Sequence, residues 1–265
     1  MRGSIELRSF VEREVVVLTK IHIMLAVLIV VPTFILSVPF AMLPAAILRL
    51  FGADRVAGRW MRFNGRNIAR IVLWSLNTRV ERQGMQHIPA DSSPICFVSN
   101  HQSALDIPAV LAGLGIWPGF ITKAELKKIP ILSTWIRAMN CVYIDRKSPR
   151  SSIGAILAGV EHIRNGIPMF VFPEGTRSRT GELGEFKSGS LKLATRAKAV
   201  IVPITIDGTR VALEAKRGFR RVTVHLSVAE PIPTADLSDE QLKELPGTVY
   251  QAIDQQFRSL AETTQ

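Results

Sequence analysis

"ICFVSNHQSALDIP", residues 95–108, runs from an unbroken apolar stretch into a polar loop and then to a proline two residues past an aspartate. An apolar run that stops abruptly at Asn100 reads as a strand covered on both faces, as in parallel sheets. Asp106 with Pro108 behind it reads as the opening of a helix. Strand, loop and helix make the repeating unit of an α/β fold, and this loop carries a histidine and an aspartate five positions apart. A helix start needs Asp106 but not His101; on that plainer reading Asp106 is an N-cap and His101 a loop residue. Loops at the carboxyl ends of such strands are where α/β proteins bind ligands. Read together, Asp106 accepts from one imidazole nitrogen and fixes the tautomer, and the other nitrogen can take a proton from a hydroxyl.

Outward from this stretch the same pattern repeats. "FITK", "CVYIDR", "MFVF", "VIVPITI" and "VTVHLSV" read as further strands from about Thr78 onward, with helical patterns between them. "SSIGAILAGVEHIRNG" places Ile153, Ile156, Leu157, Val160 and Ile163 on one helical face and stops at Asn165-Gly166. "LSDEQL" opens a C-terminal helix with a Ser238/Gln241 capping box and a Leu237/Leu242 staple. The expected fold class is α/β: a mixed, mostly parallel sheet flanked by helices, behind an N-terminal membrane-associated helical segment. The boundary is expected near residue 76, with an anchoring segment over 1–76, an α/β domain over 77–265 and a motif core over 95–209.

The 265 residues carry a net charge of +11, which calls for an anionic partner. The two cysteines, Cys96 and Cys141, sit in apolar runs and suggest neither a disulfide framework nor a metal site. No nucleic-acid-binding signature accompanies the charge. Residues 21–48, "IHIMLAVLIVVPTFILSVPFAMLPAAIL", lack any acidic or basic side chain and are long enough for a bilayer core of about 20 apolar residues. The run is too long for a signal peptide and shows no cleavage site. Pro32, Pro39 and Pro44 divide it, so two short half-helices are expected. Arg8, Arg13 and Lys20 precede it and Arg49 and Arg55 follow, and basic flanks on both sides favour entry into and return from the cytoplasmic leaflet. Arg55, Arg59, Arg62, Arg66 and Arg70 then fall on one helical face, a basic stripe suited to anionic headgroups.

Residues 171–190, "VFPEGTRSRTGELGEFKSGS", end a buried strand in Pro-Glu-Gly-Thr-Arg. A turn would need only the proline, glycine and threonine. A close backbone approach beside a guanidinium also makes a phosphate cradle, because arginine offers a planar fork of donors. No G-x-S-x-G elbow occurs, which disfavours a serine hydrolase, so the missing nucleophile is most simply a hydroxyl of the substrate. Ser103 needs no catalytic role in this scheme.

"NHQSALD", "KAELKKIPILSTWIRAMNCVYIDR", "FPEGTRSR" and "IVPITIDGT" resemble, in order, the four blocks of the glycerolipid acyltransferases, most closely the bacterial 1-acyl-sn-glycerol-3-phosphate acyltransferases. The resemblance spans roughly Ile95 to Thr209. It implies acyl transfer from acyl-coenzyme A or acyl carrier protein to the sn-2 hydroxyl of lysophosphatidate, giving phosphatidate in phospholipid biosynthesis. It implies His101 as general base and Asp106 as the residue that orients it. It associates Lys123, Arg146, Glu174, Gly175, Thr176 and Arg177 with the acceptor's glycerol phosphate, and Val202 and Pro203 with the acyl donor or the site's architecture. Neither metal nor cofactor is expected. Ser133 stands where the second block would have a glycine, which questions the local packing. The expected location is the cytoplasmic face of a bacterial inner membrane, with membrane lipids and the thioester donor as partners and no nucleic acid. Rival readings are transfer to glycerol 3-phosphate or a lyso-ornithine lipid, a thioesterase, and a basic membrane-surface binding protein without activity.

Overall fold

The computed structural model describes residues 2–91, 93–187 and 189–263, with residues 2–11, 261 and 263 described by backbone alone. Arg8 therefore lies outside the described side chains. In chain order the elements are α1 (Arg2–Ser37), a π-helical turn (Val38–Met42), α2 (Leu43–Leu50), α3 (Asp54–Ser75), β1 (Thr78–Gln83), β2 (Ile95–Ser99), α4 (Asp106–Gly113), β3 (Gly119–Lys123), α5 (Pro130–Ala138), β4 (Val142–Ile144), α6 (Pro149–Arg164), β5 (Met169–Val171), α7 (Lys192–Ala197), β6 (Val200–Asp207), α8 (Thr209–Ala212), β7 (Val222–Val228), β8 (Ile232–Pro233) and α9 (Asp239–Thr263). The chain divides into two compact units. One holds residues 1–81, 103–112 and 208–224, the other 82–102, 113–207 and 225–265.

The second unit is built on the sheet order β7-β6-β2-β5-β3-β4, with β8 beside β6. The pairs among β6, β2, β5, β3 and β4 are parallel and those of β6 with β7 and β8 antiparallel, as a mixed, mostly parallel sheet requires. Alternation along the central strands sorts side chains by face. Cys96, Val98, Met169 and Val171 enter one core with Ile163 of α6, Leu193 of α7 and Val249 and Ile253 of α9. The intervening Phe97, Phe170 and Phe120 form an aromatic row. The expected capping box opens α9: Ser238 N–H donates to Gln241 Oε1 at 2.8 Å and Gln241 N–H to Ser238 Oγ at 3.3 Å. Helix α6 stops at Asn165 with Gly166 at φ +76°. Ile153 and Leu157 of α6 are exposed, not part of its buried face, which falls on Ala155, Gly159, Val160 and Ile163.

The first unit corrects the expectation of two half-helices. Helix α1 continues through Pro32, and the chain stays helical to Leu50. A proline removes one donor and crowds the preceding turn. Past Pro32 the chain goes through a π-helical turn that contains Pro39, where Leu43 N–H reaches back five residues to Val38 O. The reversal comes later, at Phe51–Ala53, and α3 returns along α2 and α1. Its buried stripe is Ala57, Met61, Gly65, Ala69 and Leu73, at helical spacing of four. At the far end Ser75 O faces His22 Nε2 at 3.0 Å, while His22 Nδ1 faces Gly218 O at 3.0 Å and the ring stacks on Phe219. Lys216 Nζ caps Leu76 O at 2.8 Å in the same junction, and β1 meets the start of β7 through Arg79 Nε and Thr223 Oγ1. By length and composition, Glu12–Leu50 could cross a membrane. Large side chains along it are bare, with Leu50 and Phe51 at the turn 85% and 84% exposed, which marks the unit for membrane association.

Candidate active site

The loop after β2 is held by its own polar groups. Asn100 ends the strand by imitating a backbone partner: its Oδ1 accepts from Ile206 N–H and its Nδ2 donates to Ile206 O, both at 2.8 Å. His101 N–H donates to Glu174 Oε1 at 2.7 Å and His101 O accepts Ser178 N–H at 2.8 Å. Gln102 Nε2 donates to Gly181 O at 3.0 Å. The first motif block is thereby laced to the third. The two-residue period of β5 carries Phe172 past the strand end on the side of Phe170, and the His101 ring stacks on it with centroids 4.0 Å apart.

In the first unit, Ser103 N–H donates to Asp106 Oδ2 at 3.0 Å and Thr209 Oγ1 donates to Asp106 Oδ1 at 2.5 Å. Asp106 is fully buried at the first position of α4. The serine hydroxyl is engaged by Glu214 Oε2 at 2.6 Å and accepts Leu105 N–H at 3.0 Å, while Glu214 Oε1 accepts Ala104 N–H at 3.2 Å. Ser103 thus shapes the turn into α4. Thr209 and Glu214 escape a reading of the sequence. Thr209 had a signal, since it follows Gly208 in the fourth block; Glu214 lies in an unremarkable charged stretch.

Glu174 is buried, and its second oxygen accepts Gly184 N–H at 3.2 Å. A Cβ at Gly184 would stand 2.5 Å from that oxygen, so a larger residue there would displace the carboxylate. Gly175 adopts φ +69°, the left-handed conformation of a tight turn, and leaves Thr176 and Arg177 exposed. Lys123 closes β3 in register with Ile144, and Arg146 follows two residues on, so both stand at the carboxyl ends of adjacent strands. Partial desolvation lowers the Arg146 guanidinium and Glu125 opposes it. Val202 and Pro203 lie inside β6, paired with Phe97 and Val98, as sheet architecture beneath the loop. Ser133 is buried and its hydroxyl donates to Pro130 O at 2.9 Å, which satisfies the serine where a glycine was expected. Burial pushes the Cys96 and Cys141 thiols up to about 12, so neither is a thiolate nucleophile at neutral pH. Among the described residues no cluster of three or more His, Cys, Asp or Glu side chains could hold a metal ion.

Residues 79–207 match the family model described as Acyltransferase. The chain is 35% identical over 156 residues to the chloroplastic 1-acyl-sn-glycerol-3-phosphate acyltransferase BAT2 of Brassica napus, covering 59% of this chain and 45% of that one. It is 28% identical over 193 residues to the 1-acyl-sn-glycerol-3-phosphate acyltransferase of Borreliella burgdorferi, covering 72% and 76%. Its structure is similar to that of PlsC, the 1-acyl-sn-glycerophosphate (LPA) acyltransferase of Thermotoga maritima, with a TM-score of 0.75, 26% identity, and 94% and 97% of the two chains covered. The chain spans about half the length, or less, of the curated plant and mycoplasma relatives it matches.

Proposed function

We propose that the chain is a glycerolipid acyltransferase that transfers a fatty acyl group from a thioester to the sn-2 hydroxyl of lysophosphatidate. The observation that carries this reading is the lacing of His101 to the third block by both of its own backbone groups, through Glu174 and Ser178. An imidazole held by its backbone and stacked on Phe172 is preorganised for proton transfer, which costs less at the moment of reaction.

In this mechanism one His101 ring nitrogen takes the proton of the acceptor hydroxyl as its oxygen attacks the thioester carbonyl. Asp106, held by Thr209 and Ser103, orients the imidazole through the other nitrogen. The tetrahedral intermediate collapses with cleavage of the carbon–sulfur bond, and the imidazolium returns the proton to the departing thiolate. Arg177, Lys123 and Arg146 receive the acceptor's phosphate, with Gly175 and Thr176 shaping the turn that presents Arg177. Glu174, a carboxylate engaged with backbone donors, acts by positioning and not by touching phosphate. The donor is acyl-coenzyme A or acyl carrier protein.

The bare apolar side chains of α1 and α2 support action at a membrane. The 22 residues of α3 are about 33 Å long, comparable with a hydrocarbon core of about 30 Å. Yet the arginine stripe runs the length of α3, and a charged stripe is costly inside lipid. The hairpin therefore lies in the cytoplasmic leaflet with its turn buried, and both of its ends stay on the cytoplasmic side. The test is an acyl-transfer assay on protein in detergent with oleoyl-coenzyme A and a panel of acceptors. Phosphatidate formed from lysophosphatidate, and little product from monoacylglycerol or lyso-ornithine lipid, is expected; equal use of the neutral acceptor contradicts the reading.

A further inference from the structure

The first unit contains a cavity of about 240 Å³ that no part of the proposed chemistry uses. Arg70 and Trp74 of α3, Asn77 and Thr78 at the start of β1, Ala112 of α4 and Arg221 ahead of β7 help to line it. No acidic residue does. Asn77 Nδ2 and the Thr78 hydroxyl already donate to Phe219 O and Leu76 O. Arg70 has a long 3.4 Å bond to Asn67 Oδ1, and among the described residues neither guanidinium meets a carboxylate. Two like charges that share one cavity without a counter-ion repel, and a bound anion reverses the sign of that interaction.

The size and setting of the cavity narrow the anion. A volume of about 240 Å³ has room for a phosphate group. Trp74 at its rim is 70% exposed and shares a face of α3 with the exposed Phe63 and Val56. An indole beside apolar side chains, with cations next to them, is the arrangement that sits at the level of lipid headgroups. We propose that this cavity seats the headgroup phosphate of an anionic bilayer phospholipid, a second lipid site separate in its residues from the acceptor's phosphate contacts.

The test is binding, so it does not depend on catalysis. The full chain in neutral detergent micelles is titrated with phosphatidylglycerol, with phosphatidylcholine and with inorganic phosphate, and bound copies are counted by native mass spectrometry. One phosphatidylglycerol per chain is expected to bind at least about tenfold more tightly than either comparison ligand, within the range for charged hydrogen bonds. The paired change Arg70→Gln/Arg221→Gln should weaken it by about tenfold or more. Ala112→Leu fills the cavity, keeps both charges and should do the same, so misfolding of the double variant cannot decide the matter. Arg55→Gln/Arg59→Gln, on the same helix outside the cavity, and Arg177→Ala, at the acceptor subsite, should leave it within about twofold. Equal weakening by the Arg55/Arg59 pair means diffuse surface charge, and weakening by Arg177→Ala means acceptor-site binding. Equal binding of inorganic phosphate means a free-anion site, and no response to the cavity variants means another location; each of these overturns the proposal.

Discussion

Glu174 Oε1 accepts the backbone N–H of His101 at 2.7 Å, across 73 residues of sequence. A carboxylate sitting in a motif read as phosphate-binding thus spends one oxygen on the loop that carries the proposed base and the other on Gly184. The third block has two tasks in this arrangement: its arginine faces outward and its glutamate faces the loop.

Glu174→Gln tests that division. The amide keeps only one acceptor oxygen for two backbone donors, so one buried N–H loses its partner at a cost of about 1 to 3 kcal/mol. Lower thermal stability and a lower kcat are expected, with the KM for lysophosphatidate little changed. A raised KM at unchanged kcat would instead place Glu174 against the acceptor.

Thr209→Val removes the hydroxyl that donates to Asp106 Oδ1 and keeps the side-chain shape. The kcat should fall by about tenfold or more, the worth of one hydrogen bond to a charged group. Thr209→Ser should restore most of it, which a loss of packing alone would not allow. Failure of the serine to rescue would show that the methyl matters and not the hydroxyl.

Arg177→Ala should raise the KM for lysophosphatidate by the equivalent of about 1.5 to 3 kcal/mol and leave the KM for the thioester donor unchanged. Kinetics with each substrate varied in turn separates the two. A shift confined to the donor would move Arg177 out of the acceptor's phosphate site.

The hairpin's depth is testable with single cysteines. Burial pushes the native thiols up to about 12, so they stay protonated and react slowly with maleimides. Thr78→Cys should label with an impermeant maleimide only after lysis. Phe51→Cys, at the turn, should stay unlabelled in intact cells and label poorly after lysis because lipid covers it. Labelling of Phe51→Cys from outside intact cells would mean that the hairpin crosses the bilayer.

Six strands were legible as apolar runs, because strands buried on both faces need no polar positions. Strand β1 was not: "TRVERQ" is polar, and an edge strand tolerates that. The prolines misled for a local reason, since the chain passes Pro39 in a π-helical turn and stays helical to Leu50. His101 and Asp106 stood out by their position after a buried strand. Thr209 and Glu214 did not, because their partners lie 103 and 111 residues away and no local pattern announces a hydrogen bond of that span.

Turnover of His101→Ala beside the unaltered protein decides whether the His101 imidazole is the base for acyl transfer. Purified protein in detergent is given oleoyl-coenzyme A and lysophosphatidate, and phosphatidate is measured over time. Because the loop is held through backbone groups that alanine retains, the variant should fold, remain with the membrane and lose roughly 100-fold to 10,000-fold in kcat, the usual worth of a positioned general base. Activity within about threefold of the unaltered protein would mean that another group takes the hydroxyl proton.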